Sequence, residues 1–176
     1  MVFTETALRG AFLVAPEPHA DERGFFARTW SASEFESHAL NPRLVQCSVS
    51  FNIRKGTLRG MHYQAEPFGE AKLVRCTHGA IHDVIIDLRP NSPTFTRSVG
   101  VTLSAQNRLM LYVPEGFAHG FETLEDDTEV FYQISERHSP EHGRGVRWND
   151  PAFAIAWPTE PTVMSARDRT YPDFQP

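Results

Sequence analysis

Cysteine is scarce in this 176-residue chain, which holds only Cys47 and Cys76. Two thiols in a chain of this size, with no export signal, read as reduced, buried small hydrophobes rather than as a disulfide framework. Long apolar runs are also missing, and none approaches the roughly 18 residues of a membrane-spanning helix. The stretch from Met1 to Val14 carries Glu5 and Arg9 and no clean apolar core, so no secretory leader is expected. An excess of basic residues is the third absence. The formal net charge of −5 argues against a general nucleic-acid binder, although it leaves room for a local basic pocket. The expected compartment is the cytoplasm, with neither membrane nor nucleic acid as a partner.

What is present suits a soluble globular protein. The chain is 40% hydrophobic and 22% charged, and its length fits one domain over residues 1–176 with a real core. Thirteen prolines and eleven glycines punctuate short segments throughout. Strand-like runs recur at Ala11–Ala15, Phe25–Trp30, Leu44–Ile53, Leu58–Gln64, Lys72–Cys76, Ala80–Leu88, Phe95–Leu103, Leu109–Val113, Phe117–Leu124 and Thr128–Ile134. Many short strands between such turns predict an all-β sandwich or barrel. One short helix is expected at Ser31–His38, where Ser31 and Glu34 have the capping-box spacing. The proline-rich tail after Trp148 has room for one or two short helices near Ser165–Asp168. In Gly79–Arg89, the His82, Val84, Ile86, Leu88 face and the Ile81, Asp83, Ile85, Asp87 face are both largely apolar, so this strand is expected to be covered on both sides. Gln46, Ser48 and Ser50 share one parity and give their strand a polar face, which suits the lining of a barrel mouth.

The chemistry-bearing residues concentrate in two stretches. Thr57-Leu58-Arg59-Gly60-Met61-His62-Tyr63-Gln64 is followed closely by Lys72-Leu73-Val74-Arg75. A histidine between an arginine and a lysine is a candidate general base beside groups that can hold an anion or a developing oxyanion. The competing reading of His62 is a core histidine satisfied by hydrogen bonds. Strict alternation puts Arg59 and His62 on opposite faces, so Gly60 is expected to mark a bulge that re-aims one of them. Pro114-Glu115-Gly116-Phe117-Ala118-His119 has the form of the second motif of cupin barrels, where a histidine points inward. A metal-binding cupin also needs His-x-His in its first motif, and here that place reads His62-Tyr63-Gln64. His78 and His82 lie about 13 Å apart on one extended strand, too far to chelate one ion, so no metal is expected. Tyr132 is a proton donor or a structural tyrosine. Asp168 is a solvated carboxylate or an orienting partner for a distant histidine. Arg23, in Asp21-Glu22-Arg23-Gly24, is a phosphate ligand or part of a surface turn.

Taken together, Asp21–Phe26, Gly56–Gln64, Ala71–Cys76, Asp83–Phe95, Val113–Phe121 and Trp148–Pro151 resemble the dTDP-4-dehydrorhamnose 3,5-epimerase family in residue type, order and spacing. The resemblance implies a cupin-type jelly roll with a few short helices. It also implies a homodimer and catalysis without cofactor or metal. The substrate would be a nucleotide-diphosphate sugar. It maps the base onto His62, its supporting carboxylate onto Asp168, the opposite-face acid onto Tyr132 and the enolate-stabilising cation onto Lys72. Arg59 and His119 would contact the sugar or its diphosphate, and Arg23 and Gln46 the nucleotide diphosphate.

The chain departs from the family pattern at the nucleotide end. Ser48 stands where asparagine is usual, Arg28 and Gly143 where glutamates are, His138 where an aromatic stacks on thymine, and Arg167 where lysine is. The catalytic set is intact while the base-recognition set is changed. Three alternatives remain at this level: a relative inverting only C3 or only C5, a metal-dependent cupin oxygenase, and a non-catalytic sugar-binding cupin.

Overall fold

A computed structural model describes residues 1–175. In chain order the elements are β1 (Val2–Glu5), β2 (Phe12–Ala15), β3 (His19–Asp21), β4 (Gly24–Phe26), α1 (Ala32–Ser37), β5 (Gln46–Asn52), β6 (Thr57–Gln64), β7 (Lys72–His78), β8 (Ala80–Asp87), β9 (Ser98–Ser104), β10 (Met110–Val113), β11 (Phe117–Thr123), β12 (Thr128–Ile134), β13 (Gly143–Gly145), β14 (Val163–Met164) and α2 (Ala166–Arg169). They form a cupin-type jelly roll. One sheet runs β1-β2-β10-β7-β12-β5, and the facing sheet runs β13-β6-β11-β8-β9 with β14 added beside β6.

The alternation in the sequence explains the layers. Inward residues of both sheets, among them Val74, Val130, Ile81, Ile85, Phe117 and Phe121, meet in the central core. Outward residues of β8, Val84 and Ile86, are covered by Phe153, Ile155 and Trp157 of the tail. The expectation that this strand is buried on both sides therefore holds. On the outer face of the other sheet, Phe35 of α1 packs with Val14, Leu73, Met110 and Tyr112.

Several sequence expectations change in detail. The run Phe25–Trp30 is not one strand. Pairing stops at the β3–β4 hairpin, and residues 27–30 have no ladder partner. Helix α1 lies where expected, but Ser31 makes no side-chain cap. Glu34 does not complete a capping box, because it accepts from the Met1 ammonium at 2.8 Å and from Arg28 at 3.0 Å. Both cysteines are free, but only Cys76 is buried. Cys47 points outward from edge strand β5 and is exposed, so it is not the buried hydrophobe its composition suggested.

The loop after β8 is closed by a buried carboxylate. Asp87 accepts from Arg89 at 2.7 and 2.8 Å, Ser92 at 2.5 Å and Thr94 at 2.6 Å. Burial pushes its carboxyl up, but these donors outweigh it and bring it from 3.8 down to about 2. The stabilisation is therefore full above pH 3.8 and is lost as pH falls through about 2. Asp87→Asn should cost about 2 kcal/mol at neutral pH, from the size of the shift. Urea unfolding should show the gap from wild type narrowing as pH falls towards 2. A gap independent of pH would mean that the carboxylate charge is not the cause.

Candidate active site

The open end of the barrel holds a cavity of about 850 Å³, within the size range of small-molecule sites. Both sheets line it. Strands β6 and β11 contribute Arg59, His62 and His119, while β5, β7 and β12 contribute Gln46, Ser48, Lys72 and Tyr132. The polar parity of β5 thus faces the cavity as expected.

A bulge in β6 puts Arg59 and His62 on the same wall. His62 pairs with His119 and Arg59 with Phe121. Two steps on β11 correspond to three on β6, so β6 carries one extra residue and its parity is reset. The close approach requires glycine on both strands. A Cβ on Gly60, whose φ is +150°, would lie 2.6 Å from the Gly120 Cα, and one on Gly120 would lie 2.7 Å from the Arg59 carbonyl oxygen.

His62 Nε2 lies 2.7 Å from Asp168 Oδ1. The histidine side chain is 42% exposed towards the cavity, and the carboxylate is 6% exposed. Asp168 also accepts from the Gly60 amide at 3.4 Å, and its own amide is capped by Ser165 at 3.1 Å. Burial works against the ionised carboxylate, but the hydrogen bond and charge of His62, together with the Gly60 and Ser165 hydrogen bonds, outweigh it and hold the group below its ordinary value. With Asp168 ionised, His62 donates from Nε2 and keeps its Nδ1 lone pair for the cavity.

The route of the tail brings Asp168 there. Asp150 accepts from the amides of Ala152 and Phe174, and Trp157 donates to the Trp148 carbonyl. Val163 and Met164 then run parallel to Thr57 and Leu58 of β6, and α2 follows at the cavity rim.

Tyr132 stands on the sheet facing His62. Burial pushes its phenol far up, Asp83 adds to this and Arg59 opposes it. Its ring lies 6.0 Å from that of His119 at 81°. His119 Nε2 lies 2.7 Å from Asp83 Oδ1, making a second histidine–carboxylate pair, this one fully buried. Lys72 Nζ lies 3.0 Å from Glu70, with both side chains largely buried. Arg59 donates to Asn52 at 2.7 Å. At the outer end, the Gln46 side chain accepts from the His138 amide at 3.2 Å, and Gln64 accepts from the Ser139 amide at 2.6 Å. Arg167, Gly143 and Arg144 line the same rim.

Ten of the eleven catalytic and binding candidates named from the sequence thus share one cavity. Arg23 does not. It sits on the β3–β4 hairpin, 84% exposed and paired with Asp21, outside the cavity of its own chain. Arg28, paired with Glu34, is also outside it. Sequence reasoning missed Glu70 and Asp83 as site members, although both left a signal. Glu70 is two residues from Lys72 on an extended chain, and Asp83 is a carboxylate set between Ile81 and Ile85 on the inward face of β8. Among the described residues, no group of three or more His, Cys, Asp or Glu side chains is placed to hold a metal ion.

Comparison with known proteins puts the chain among the cupin-type isomerases of nucleotide sugars. The family model for dTDP-4-dehydrorhamnose 3,5-epimerase matches residues 5–176, and the chain belongs to that family. A curated dTDP-4-dehydrorhamnose 3,5-epimerase from Sinorhizobium fredii is 42% identical over 175 residues, covering 99% of this chain and 90% of that protein. The crystal structure of the Bacillus anthracis enzyme, with TDP and PPi bound, superposes with a TM-score of 0.93 at 42% identity, covering 98% of this chain and 99% of that one. A Legionella pneumophila 3,5-epimerase in complex with dTDP-4-keto-L-rhamnose gives a TM-score of 0.88 at 36% identity, with 95% and 89% covered.

Proposed function

We propose that residues 1–176 act as one epimerase domain that inverts C3 and C5 of a nucleotide-linked 4-keto-6-deoxyhexose, converting dTDP-4-dehydro-6-deoxyglucose to dTDP-4-dehydrorhamnose. The observation that carries this reading is the 2.7 Å contact between His62 and Asp168, in a cavity whose facing sheet supplies Tyr132 and Lys72. The C3 and C5 hydrogens both lie α to the C4 ketone. His62 Nδ1 takes one as a proton, and the electron pair moves into the C4 carbonyl to give an enolate. Lys72 stabilises the enolate oxygen, a type of contact worth about 100- to 1000-fold in rate. Tyr132 or water returns a proton to the other face, exchange with solvent then removes the proton from His62 and restores the Tyr132 phenol, and the cycle repeats at the second carbon. The oxidation level of the sugar is unchanged, so the reaction calls for no redox cofactor, and the Lys72 ammonium supplies the cation that faces the enolate. Arg59 and His119 would hold the sugar or its diphosphate. Gln46, Ser48, His138 and Arg167 would hold the nucleotide end. Free thiols suit the cytoplasm as the working compartment.

We further propose a homodimer. Val49 and Phe51 are exposed on edge strand β5, and Phe26 on the β3–β4 hairpin is 77% exposed, an apolar edge that isolated proteins rarely leave open. Arg23 lies on that hairpin and outside its own cavity, so its proposed phosphate contact is to the partner's substrate.

His62→Ala should abolish solvent deuterium incorporation at both carbons while the fold survives, and Asp168→Asn should weaken it less completely. Tyr132→Phe should preserve proton removal better than inversion, so NMR should show exchange with retention. Near-normal exchange in a folded His62→Ala protein would sink the assignment of the base.

Mixing inactive Arg23→Ala and His62→Ala proteins tests the shared site. Mixed dimers hold one cavity with both native residues, so activity should return. Failure to recover any activity from a demonstrated mixed dimer would mean that Arg23 does not serve the partner's cavity.

The altered nucleotide end predicts a weaker preference for thymine than the family pattern implies. Histidine offers less stacking area than tyrosine, and serine has less reach than asparagine. Calorimetry with dTDP, UDP, CDP and GDP should show dTDP favoured by less than about 100-fold, or 2.7 kcal/mol. A larger preference would show that the substitutions do not loosen recognition.

A further inference from the structure

Helix α2 has four residues, far too few to hold its shape or position by its own hydrogen bonds. Something outside it must fix Asp168 to the fraction of an ångström that a hydrogen bond to His62 needs. The Ser165 cap orders the first turn, but it belongs to the same segment and cannot place that segment against the barrel. The pairing of β14 with β6 anchors the segment on the N-terminal side of α2, and on the C-terminal side the contact is Tyr171, three residues beyond Asp168. Its ring lies directly on Gly145. A Cβ at that glycine would stand 2.2 Å from the tyrosine Cζ and 2.4 Å from Cε2. Gly145 is not among the positive-φ glycines, so its backbone makes no demand for glycine. The space taken by the ring is the reason a side chain is excluded. Gly145 of β13 is the ladder partner of His62, and the Tyr171 ring stands edge-on to the His62 ring, with centroids 6.1 Å apart at 66°. On the helix side, the Arg167 guanidinium lies 5.7 Å over the same ring.

We propose that Tyr171 is a positioning residue for the reaction: seated on Gly145, its ring fixes α2 and through it the Asp168 carboxylate against His62. The inference rests on the reading of His62 and Asp168 as the base and its support. The contact is made by the ring. The hydroxyl is buried and makes no hydrogen bond of good geometry; burial raises the phenol and the neighbouring Arg167 guanidinium only partly offsets it, so phenylalanine should serve nearly as well as tyrosine.

The test measures deuterium exchange into dTDP-4-dehydro-6-deoxyglucose at saturating substrate, with wild type as reference. Absence of exchange in wild type would defeat the functional reading itself. Given exchange in wild type, Tyr171→Phe should stay within about twofold, while Tyr171→Leu should fall by about 10- to 100-fold, the scale of a slightly misplaced catalytic pair. Gly145→Ala should reproduce the loss by displacing the ring, and should cost nothing further in a Tyr171→Leu background. The decisive arm combines Tyr171→Leu with Asp168→Asn. A residue acting through Asp168 adds little once Asp168 is already impaired, whereas an independent structural role multiplies the losses. Wild-type exchange in folded Tyr171→Leu, or full multiplication in the double variant, would overturn the proposal. If Tyr171→Leu does not fold, Gly145→Ala decides alone, and wild-type exchange in that folded variant overturns it equally.

Discussion

The hydrogen bond between His62 and Asp168 joins residues 106 positions apart, and much of the architecture bears on making it. His62 faces the cavity beside Arg59 only because β6 carries an extra residue opposite Gly120. Asp168 reaches it only because the tail crosses the outer face of one sheet, pairs with the start of β6 and ends in a single helical turn at the rim. The same crossing buries Val84 and Ile86 under Phe153 and Trp157. The segment that completes the core therefore also delivers the carboxylate, so tail packing and the geometry of the pair are linked.

Charge in the cavity runs against the balance of the whole molecule. The chain carries a net −5, yet Arg59, Lys72, Arg144 and Arg167 line one concave surface. Their counter-charges are close but set back: Glu70 beside Lys72, and Asp168 and Asp83 behind the two histidines. A low-dielectric cavity strengthens such fields. The arrangement attracts an anionic ligand while each carboxylate stays engaged with its own partner. An excess of one charge can thus be local even where the composition says the opposite.

The strands were legible because inward positions repeat every second residue, and the two-sided burial of β8 could be read from its apolar faces. Strands β1, β3, β13 and β14 were not, being short segments whose extended state is set by the partner they lie against rather than by their own pattern. The capping box at Ser31 failed for a similar reason, since the Met1 ammonium and Arg28 outcompeted the helix end for Glu34. In the site, residue types announced themselves and Gly60 announced the bulge. Sequence alone could not derive which carboxylate backs His62, because that contact spans most of the chain; the family resemblance supplied it. Tyr171 gave no signal at all. Its importance is steric and appears only once Gly145 is seen beneath its ring.

In the proposed mechanism, a base and an acid must coexist in one cavity at one pH, and the two sheets supply opposite environments for them. Asp168, ionised and hydrogen-bonded to Nε2, fixes the His62 tautomer and leaves Nδ1 able to accept a proton. Tyr132, buried beside Asp83, is driven the other way, and its phenol holds its proton firmly. Such a group is a poor source of a proton for a weak base, but an enolate carbon is a strong one, so transfer becomes favourable only after the first abstraction has occurred. In that mechanism Lys72 would set the balance between these steps. Its ammonium has three donors and one is engaged by Glu70, leaving capacity for the enolate oxygen without releasing the carboxylate. Too strong a hold on the enolate would make it a poor proton acceptor, and too weak a hold would prevent its formation. Sharing the ammonium with Glu70 would soften that hold, which in the proposed mechanism gives the carboxylate missed in the sequence a physical reason to be there.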